Sequence, residues 1–95
     1  MRVKLEFITW LSELFGHTGK FIFEQEINEG FTLYDLLIFL SSKYENFAKY
    51  IFNPNNQKFV EEIILLINDK LPSNGLATKL NNGDKITFIP PISGG

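Results

Sequence analysis

Residues 80–95 read Leu80-Asn81-Asn82-Gly83-Asp84-Lys85-Ile86-Thr87-Phe88-Ile89-Pro90-Pro91-Ile92-Ser93-Gly94-Gly95, and each part of this stretch carries a structural instruction. Asn81 to Asp84 is a tight turn, because Asn and Gly tolerate backbone conformations that most residues avoid. Lys85 to Ile89 is a strand, stopped by Pro90-Pro91, which have no N–H with which to extend a ladder. Two consecutive prolines favour an extended, projecting backbone. Two glycines leave no side chain beside the final carboxylate, so a narrow active site can close around bare backbone. The stretch reads as a strand that delivers a carboxyl group into another protein's catalytic pocket.

That strand needs neighbours, and the rest of the chain supplies them. Val3, Leu5 and Phe7 alternate with Arg2, Lys4 and Glu6, the period of a strand with one buried face. Trp10, Leu11, Leu14 and Phe15 recur at helical spacing, and Gly16 and Gly19 bracket a turn that holds the single histidine, His17. Lys20 to Ile27 alternates again, with Phe21, Phe23 and Ile27 on one face and Glu24 and Glu26 on the other. These segments predict a hairpin-like pair of strands joined by a short helical turn. Asn28-Glu29-Gly30 is a turn, Thr32 and Asp35 match a capping box in its acidic variant, and Leu33, Leu36, Leu37, Leu40 and Tyr44 mark an amphipathic helix. Ile38 and Phe39 widen its apolar stripe, as expected of a helix packed across a sheet.

The next region is less legible. Phe47, Tyr50 and Ile51 suit a second short helix that Asn53-Pro54-Asn55-Asn56 breaks, so residues 46–57 are expected to form a surface excursion tacked down by aromatics. Ile63 to Ile67 is an unbroken apolar run, expected to form a strand covered on both faces or nearly so. Asn68-Asp69 turns it, Leu71-Pro72 is expected to add a brief edge piece, and Leu76 and Leu80 flank a connection. The order β-β-α-β-(β)-β predicts one α+β domain over 1–95, with a single main helix across a small mixed sheet and a flexible tail at 90–95.

Composition bounds the function. A chain of 95 residues with 44% hydrophobic content can bury about 60–70% of its unfolded surface in one modest core, and ten phenylalanines make that core aromatic. A net charge of −2 gives no basic field to attract phosphates, so nucleic acid is not an expected partner. No apolar run approaches the length of a membrane span, and no signal-like apolar segment follows Met1; the expected place of action is cytoplasmic, without a membrane partner. The absence of cysteine removes disulfides, thiolate metal ligands and side-chain sulfur nucleophiles. One histidine leaves little for a triad, and the phosphate-loop, dinucleotide and HExxH patterns are missing. His17 reads as a solvated surface residue, Glu61-Glu62 as a solvated loop edge, and the aromatics as core. No bound cofactor or metal is expected.

Chemistry is therefore expected at Gly95. A free α-carboxyl has a pKa of about 3.3–3.7, so it is an anion at neutral pH and a poor electrophile. It must be activated, for instance as an acyl adenylate, and with no ATP motif in this chain the activating enzyme is a separate protein. The activated glycyl carbonyl can then accept sulfur, giving a thiocarboxylate, or an amine, giving an amide. Lacking cysteine, the chain could carry sulfur covalently only at that terminus.

Residues 80–95, with Thr32-Leu33-Tyr34-Asp35-Leu36-Leu37, Leu65-Leu66-Ile67-Asn68 and Val3 to Phe7, resemble the molybdopterin synthase small-subunit family, a branch of the ubiquitin-like β-grasp sulfur carriers. The resemblance implies a β-grasp fold in which an E1-like enzyme, using ATP, adenylates Gly95, and sulfur transfer makes it a thiocarboxylate. It implies that Pro90, Pro91, Ser93 and Gly94 enter the large subunit of molybdopterin synthase, where sulfur passes to the pterin precursor of molybdenum cofactor. The chain itself is then a non-catalytic sulfur-donating subunit. It further implies that Phe7 and Ile89 face partner subunits, whereas alternation with Val3 and Leu5 puts Phe7 in the core. Three features depart from the family pattern: Ser12-Glu13 stands where an Arg-Glu pair is common, Asp69 where Gly is common, and the stretch from Tyr44 to Glu62 is long and Asn-rich. Three alternatives stay open: a sulfur carrier for another pathway (thiamine or tRNA thiolation), a protein modifier, and a binding module with an incidental tail.

Overall fold

A computed structural model describes residues 1–91. β1 (Arg2–Ile8) and β2 (Lys20–Glu26) pair antiparallel along their full length, from Arg2 opposite Glu26 to Ile8 opposite Lys20. They are joined through the four-residue helix α1 (Trp10–Glu13). Ser12 is fully buried in this connection, its Oγ within reach of the carbonyls of Thr9 (2.7 Å) and His17 (3.2 Å). The residue that departs from the family pattern is thus a turn clamp.

The capping box begins the main helix as read from the sequence. Thr32 Oγ1 accepts from the Asp35 N–H at 3.1 Å and Asp35 Oδ2 accepts from the Thr32 N–H at 2.9 Å, satisfying two N–H groups that the first turn leaves without partners. Helix α2 (Leu33–Lys43) buries Leu33, Leu36, Leu37 and Leu40. The last strand, β6 (Lys85–Ile89), lies parallel to β1, with Leu5 opposite Ile86 and Phe7 opposite Phe88. It also pairs antiparallel with β5 (Ile64–Ile67), giving the sheet order β2-β1-β6-β5. First and last strands are therefore central, as expected of one helix packed over a mixed sheet. Phe7 is stacked on Phe88 at 4.5 Å between ring centres, with Phe47 edge-on to both.

Three expectations are corrected. Residues 46–57 hold the expected short helix, tacked to the core by Phe47 and Ile51, but the rest is not a plain surface excursion. α3 (Glu45–Tyr50) is followed by a small hairpin of β3 (Phe52–Asn53) and β4 (Lys58–Phe59), and Phe47, Ile51 and Phe52 are fully buried. Phe47 and Ile51 lie one helical turn apart, the Ile51 N–H closing α3 on the Phe47 carbonyl at 3.0 Å, whereas Phe52 enters the core from β3. Next, the apolar run at Ile63–Ile67 is not covered on both faces. β5 is an edge strand in which Leu65 is buried and Ile64 is 51% exposed.

Finally, Leu71-Pro72 is not a strand. Asn68 (φ 53°) and Asp69 (φ 68°) form a two-residue turn that returns Lys70 to bond Ile67 in both directions. The next steps of that ladder would set Pro72 opposite Leu65, where an N–H is needed and proline has none. The same left-handed turn explains why glycine suits position 69, and why Asp, which tolerates this region better than most residues, can stand there.

Candidate functional site: the exit of the last strand and the outer face of the sheet

The start of β6 is held by a polar cluster. Asp84 Oδ2 accepts from the Asn81 N–H (2.7 Å) and Oδ1 from Asn68 Nδ2 (2.8 Å). Asn68 Oδ1 in turn accepts from the Lys85 N–H (2.9 Å), and the Asp84 carbonyl accepts from the Lys4 N–H (2.8 Å). Gly83, at φ 88°, donates its N–H to the Arg2 carbonyl at 2.7 Å. These bonds fix the register of β6 between β1 and β5, and so fix where its other end leaves the sheet. At that end Ile89 is half-buried, Pro90 buried and Pro91 half-buried. Ser93, Gly94 and Gly95 lie outside the described residues.

The outer face of the sheet, opposite α2, carries Ile8, Ile22, Ile64, Leu66 and Ile89 by strand register. At its centre Glu6 is buried, its carboxylate accepting from Thr87 Oγ1 at 3.0 Å and lying 3.0 Å from Lys20 Nζ. Burial alone would push the Glu6 carboxyl up. The hydrogen bonds from Lys20 and Thr87, with the charges of Lys20 and Lys85, outweigh it and hold the group below its ordinary value of 4.5. The outer face is thus apolar toward the exit end of β6, at Ile8, Ile64, Leu66 and Ile89, and charged toward the other end, where Arg2, Lys4, Glu24, Glu26 and Lys85 lie.

Beside the strand exit, Ile89, Pro90 and Pro91 form one wall of an open groove of about 840 Å³, faced by Phe59, Val60 and Ile64 and rimmed by Glu61 and Glu62. Val60 is held in place, not loose: its N–H donates to the Ile51 carbonyl at 2.9 Å, directly after the Phe52–Phe59 pair of the small hairpin.

Of the residues singled out from the sequence, Ile89, Pro90 and Pro91 come together at this exit. Phe7 does not join them. It is 0% exposed and packs against Phe88 and against Phe47 of α3, in the core where its alternation with Val3 and Leu5 puts it, and the outward side chain at this end of β1 is Ile8. Ile8 and Ile64 were missed. Ile8 was legible had the alternation of β1 been carried one residue further; Ile64 was hidden because an unbroken apolar run does not say which face is open. His17 stacks on Phe21 at 3.8 Å between ring centres, and Glu61 and Glu62 are exposed, as read. Among the described residues, no group of three His, Cys, Asp or Glu side chains is placed to hold a metal ion, and no helix is long and apolar enough to cross a membrane.

Residues 5–95 match the family model described as the ThiS family. No curated protein matches the chain. Among solved structures, small archaeal modifier protein 1 from Methanosarcina acetivorans is 31% identical, with a TM-score of 0.70 over 99% of this chain and 96% of that one. Small archaeal modifier protein 1 from Haloferax volcanii is 20% identical with a TM-score of 0.79, covering 100% of both chains. The putative molybdopterin converting factor, subunit 1, from Pyrococcus furiosus is 20% identical with a TM-score of 0.72, over 97% of this chain and 99% of that one. These likenesses identify the fold as the ubiquitin-like β-grasp.

Proposed function

The chain belongs to the ThiS family of ubiquitin-like sulfur carriers, and we propose that it carries sulfur as a thiocarboxylate on Gly95 for the synthesis of molybdopterin. The observation that carries this reading is the placement of β6. A central strand, locked at its start by Asp84 and Asn68, runs out at Ile89-Pro90-Pro91 beside an apolar surface, with Ile92-Ser93-Gly94-Gly95 next in the chain. An E1-like activating enzyme supplies the first step. The Gly95 carboxylate oxygen attacks the α-phosphorus of ATP, the bond to the β-phosphate breaks, and pyrophosphate leaves. In the second step the sulfur of bisulfide, or of an equivalent sulfur donor, attacks the glycyl carbonyl carbon. The acyl–phosphate bond breaks, AMP leaves, and the proton is lost to solvent, giving C(O)S⁻. The large subunit of molybdopterin synthase then takes the tail; the thiocarboxylate sulfur bonds to the pterin precursor and water cleaves its bond to the glycyl carbonyl, returning the Gly95 carboxylate, so catalysis resides in the partners.

A second reading, a protein modifier joined through the same activated glycine, is favoured by the 31% identity with a small archaeal modifier protein. One assay separates the two. The purified chain is incubated with an E1-like enzyme, ATP and bisulfide, and its intact mass is measured. A gain equal to replacing one oxygen by sulfur, absent when Gly95 is deleted, supports the carrier. Supplying the large synthase subunit and pterin precursor must then discharge it. Gly95-dependent, higher-mass conjugates to lysine in cell extract, without discharge to the pterin, favour the modifier. The starting mass also tests that Gly95 ends the mature chain.

A further inference from the structure

The sheet ends in two edge strands, and the chain treats them differently. At β5 most groups that point away from β6 are engaged. Ile67 exchanges both of its bonds with Lys70, and just before the strand the Ile63 N–H returns to the Glu61 carbonyl at 2.8 Å. Within β5 only Leu65 keeps its outward groups open. β2 has no such cover. Met1 and Ile27 bond each other in both directions, and the Thr9 N–H reaches the Gly19 carbonyl. The alternation of an antiparallel ladder then turns the backbone of Phe21, Phe23 and Gln25 toward β1, and the N–H and C=O groups of Lys20, Ile22, Glu24 and Glu26 line the outer edge. Among the described residues, only the Lys20 N–H and the Glu26 carbonyl in this row are engaged, by the Thr18 carbonyl and by Gln25 Nε2. The rest form a template for one more strand.

The side chains along that edge say which strand fits. Placed antiparallel to a second copy of itself about a two-fold axis through Ile22, β2 sets Lys20 opposite Glu24 of the other copy, Phe21 opposite Phe23, and Ile22 opposite its own counterpart. Each pair is matched in kind: an ion pair at either end, aromatic pairs on the α2 side and an apolar pair at the axis. Sliding the register by two residues in either direction sets Ile22 against Glu24 or Lys20 and destroys the match. The groups are placed for this contact. Ile22 is 46% exposed, Phe21 and Phe23 are half-buried, and Lys20 is exposed even beside Glu6. Glu24 makes no ion pair among the described residues. Charges that only guard an edge against pairing would meet their like across it; here the two signs are spaced so that a two-fold axis brings them together.

We propose that the chain forms a two-fold dimer through β2, its two four-stranded sheets joining into one continuous sheet with both α2 helices on the same face. Backbone bonds form between the two Ile22 residues in both directions, and from each Glu24 N–H to the other copy's Lys20 carbonyl, none at the expense of a bond already made. The contact is one strand wide, at the small and transient end of interface sizes, so a Kd of about 10–100 µM is expected. β6 lies two strands in from this edge, about 10 Å away, so both exits at Ile89-Pro90-Pro91 stay uncovered. The dimer therefore does not rest on the carrier reading and is compatible with it.

Sedimentation velocity of the full-length chain, from about 1 µM to about 1 mM so as to span the expected Kd, reads the dimer directly. Growth of a dimer by mass action is expected; a monomer at the highest concentration overturns the proposal. The chain has no cysteine, so single thiols report the contact and its register. Ile22→Cys puts a thiol on the two-fold axis, where the Cα atoms of a bonded pair stand about 5.5 Å apart, within disulfide range. Oxidation with copper–phenanthroline should give a covalent, reducible dimer at least about tenfold faster than for Glu62→Cys, an exposed site beside the opposite edge strand, because pre-association raises the effective thiol concentration. Equal rates overturn β2 as the contact. Glu24→Lys sets like charges across the axis and should raise Kd about tenfold, a penalty that shrinks as salt is added. An unchanged Kd overturns the register. Both altered side chains are exposed in the monomer, and thermal unfolding of each variant verifies that it is folded.

Discussion

The two ends of β6 are built on opposite principles. At its start, Asp84, Asn68 and the backbone of Lys4, Asn81 and Lys85 exchange hydrogen bonds of 2.7–2.9 Å. At its finish, Ile89, Pro90 and Pro91 meet apolar side chains, and the prolines have no N–H to bond. The start is specified by direction-dependent contacts that admit one register; the finish is left able to accept another surface. Precision at the exit is therefore imposed from the far end of the strand, some five residues away. Stability and function are separable along one element, and substitutions at its two ends should fail in different ways.

The sharpest break in that comparison is deletion of Gly95. Acquisition of sulfur, read by intact mass, should be abolished, while the urea midpoint stays that of wild type. Loss of stability in the deletion would show that the tail is part of the fold and not only its cargo site. Phe7→Ala strikes between the two ends, where Phe7 is stacked on Phe88. It should cost about 3–5 kcal/mol in denaturant unfolding, the range for emptying a buried aromatic site. A loss below about 1 kcal/mol would mean that the aromatic stack does not hold β6 against β1.

Asp84→Ala removes the acceptor for the Asn81 N–H and for Asn68 Nδ2 and should cost about 1–3 kcal/mol, the penalty for leaving such partners unsatisfied. In proportion to folded protein, KM for activation should rise if register at the start fixes position at the exit; an unchanged KM would uncouple the ends.

Glu6 gives a smaller effect with a defined pH sign. Its carboxyl is held below 4.5 despite burial, because Lys20 and Thr87 bond the charged form. A group whose folded pKa is depressed contributes stability above its unfolded value and loses it as pH falls through the folded one. The stability advantage of wild type over Glu6→Gln should therefore be present at pH 7 and shrink below about pH 4.5. An advantage independent of pH would assign Glu6 a packing role only. The smallest effect is expected at the turn that feeds the start of β6. Asp69→Gly relieves a left-handed residue but gives up an exposed ion pair with Lys85 at 3.1 Å, so the net change should stay within about 1 kcal/mol. A larger loss would show that this ion pair belongs to the anchoring cluster.

Much of this was legible in residues 1–45 and 80–91. Alternation at Val3–Phe7, the Thr32/Asp35 capping box, the leucine stripe of α2 and the Asn81–Asp84 turn are local signals, each written within a few residues, and each appears where it was read. The regions that misled were those whose state depends on distant neighbours. Ile63–Ile67 has the composition of a buried strand, but what it covers is decided by which strand lies beside it, and here none lies beyond it. Phe47 and Ile51 keep helical spacing at the end of α3, but Phe52 reaches the core from β3, so no single period links all three. Leu71-Pro72 looks extended by composition, yet Pro72 falls at the ladder position that requires a donor.

Read as sequence, the chain has no thiol to carry sulfur and a Pro-Pro exit from a final strand, the pattern on which the proposal for Gly95 rests. The sequence by itself determined the elements of the β-grasp, because capping, turn and alternation signals act over a few residues. The inward face of Phe7 follows from alternation, but only the meeting of β1, β6 and β5 brings Ile8, Ile64 and Ile89 side by side on the outer face. Only the tertiary structure decided that the 52–62 hairpin stands beside the strand exit. The physical reason is that burial and surface complementarity belong to pairs of residues far apart in the chain, and such pairs exist only once β1, β6 and β5 have met.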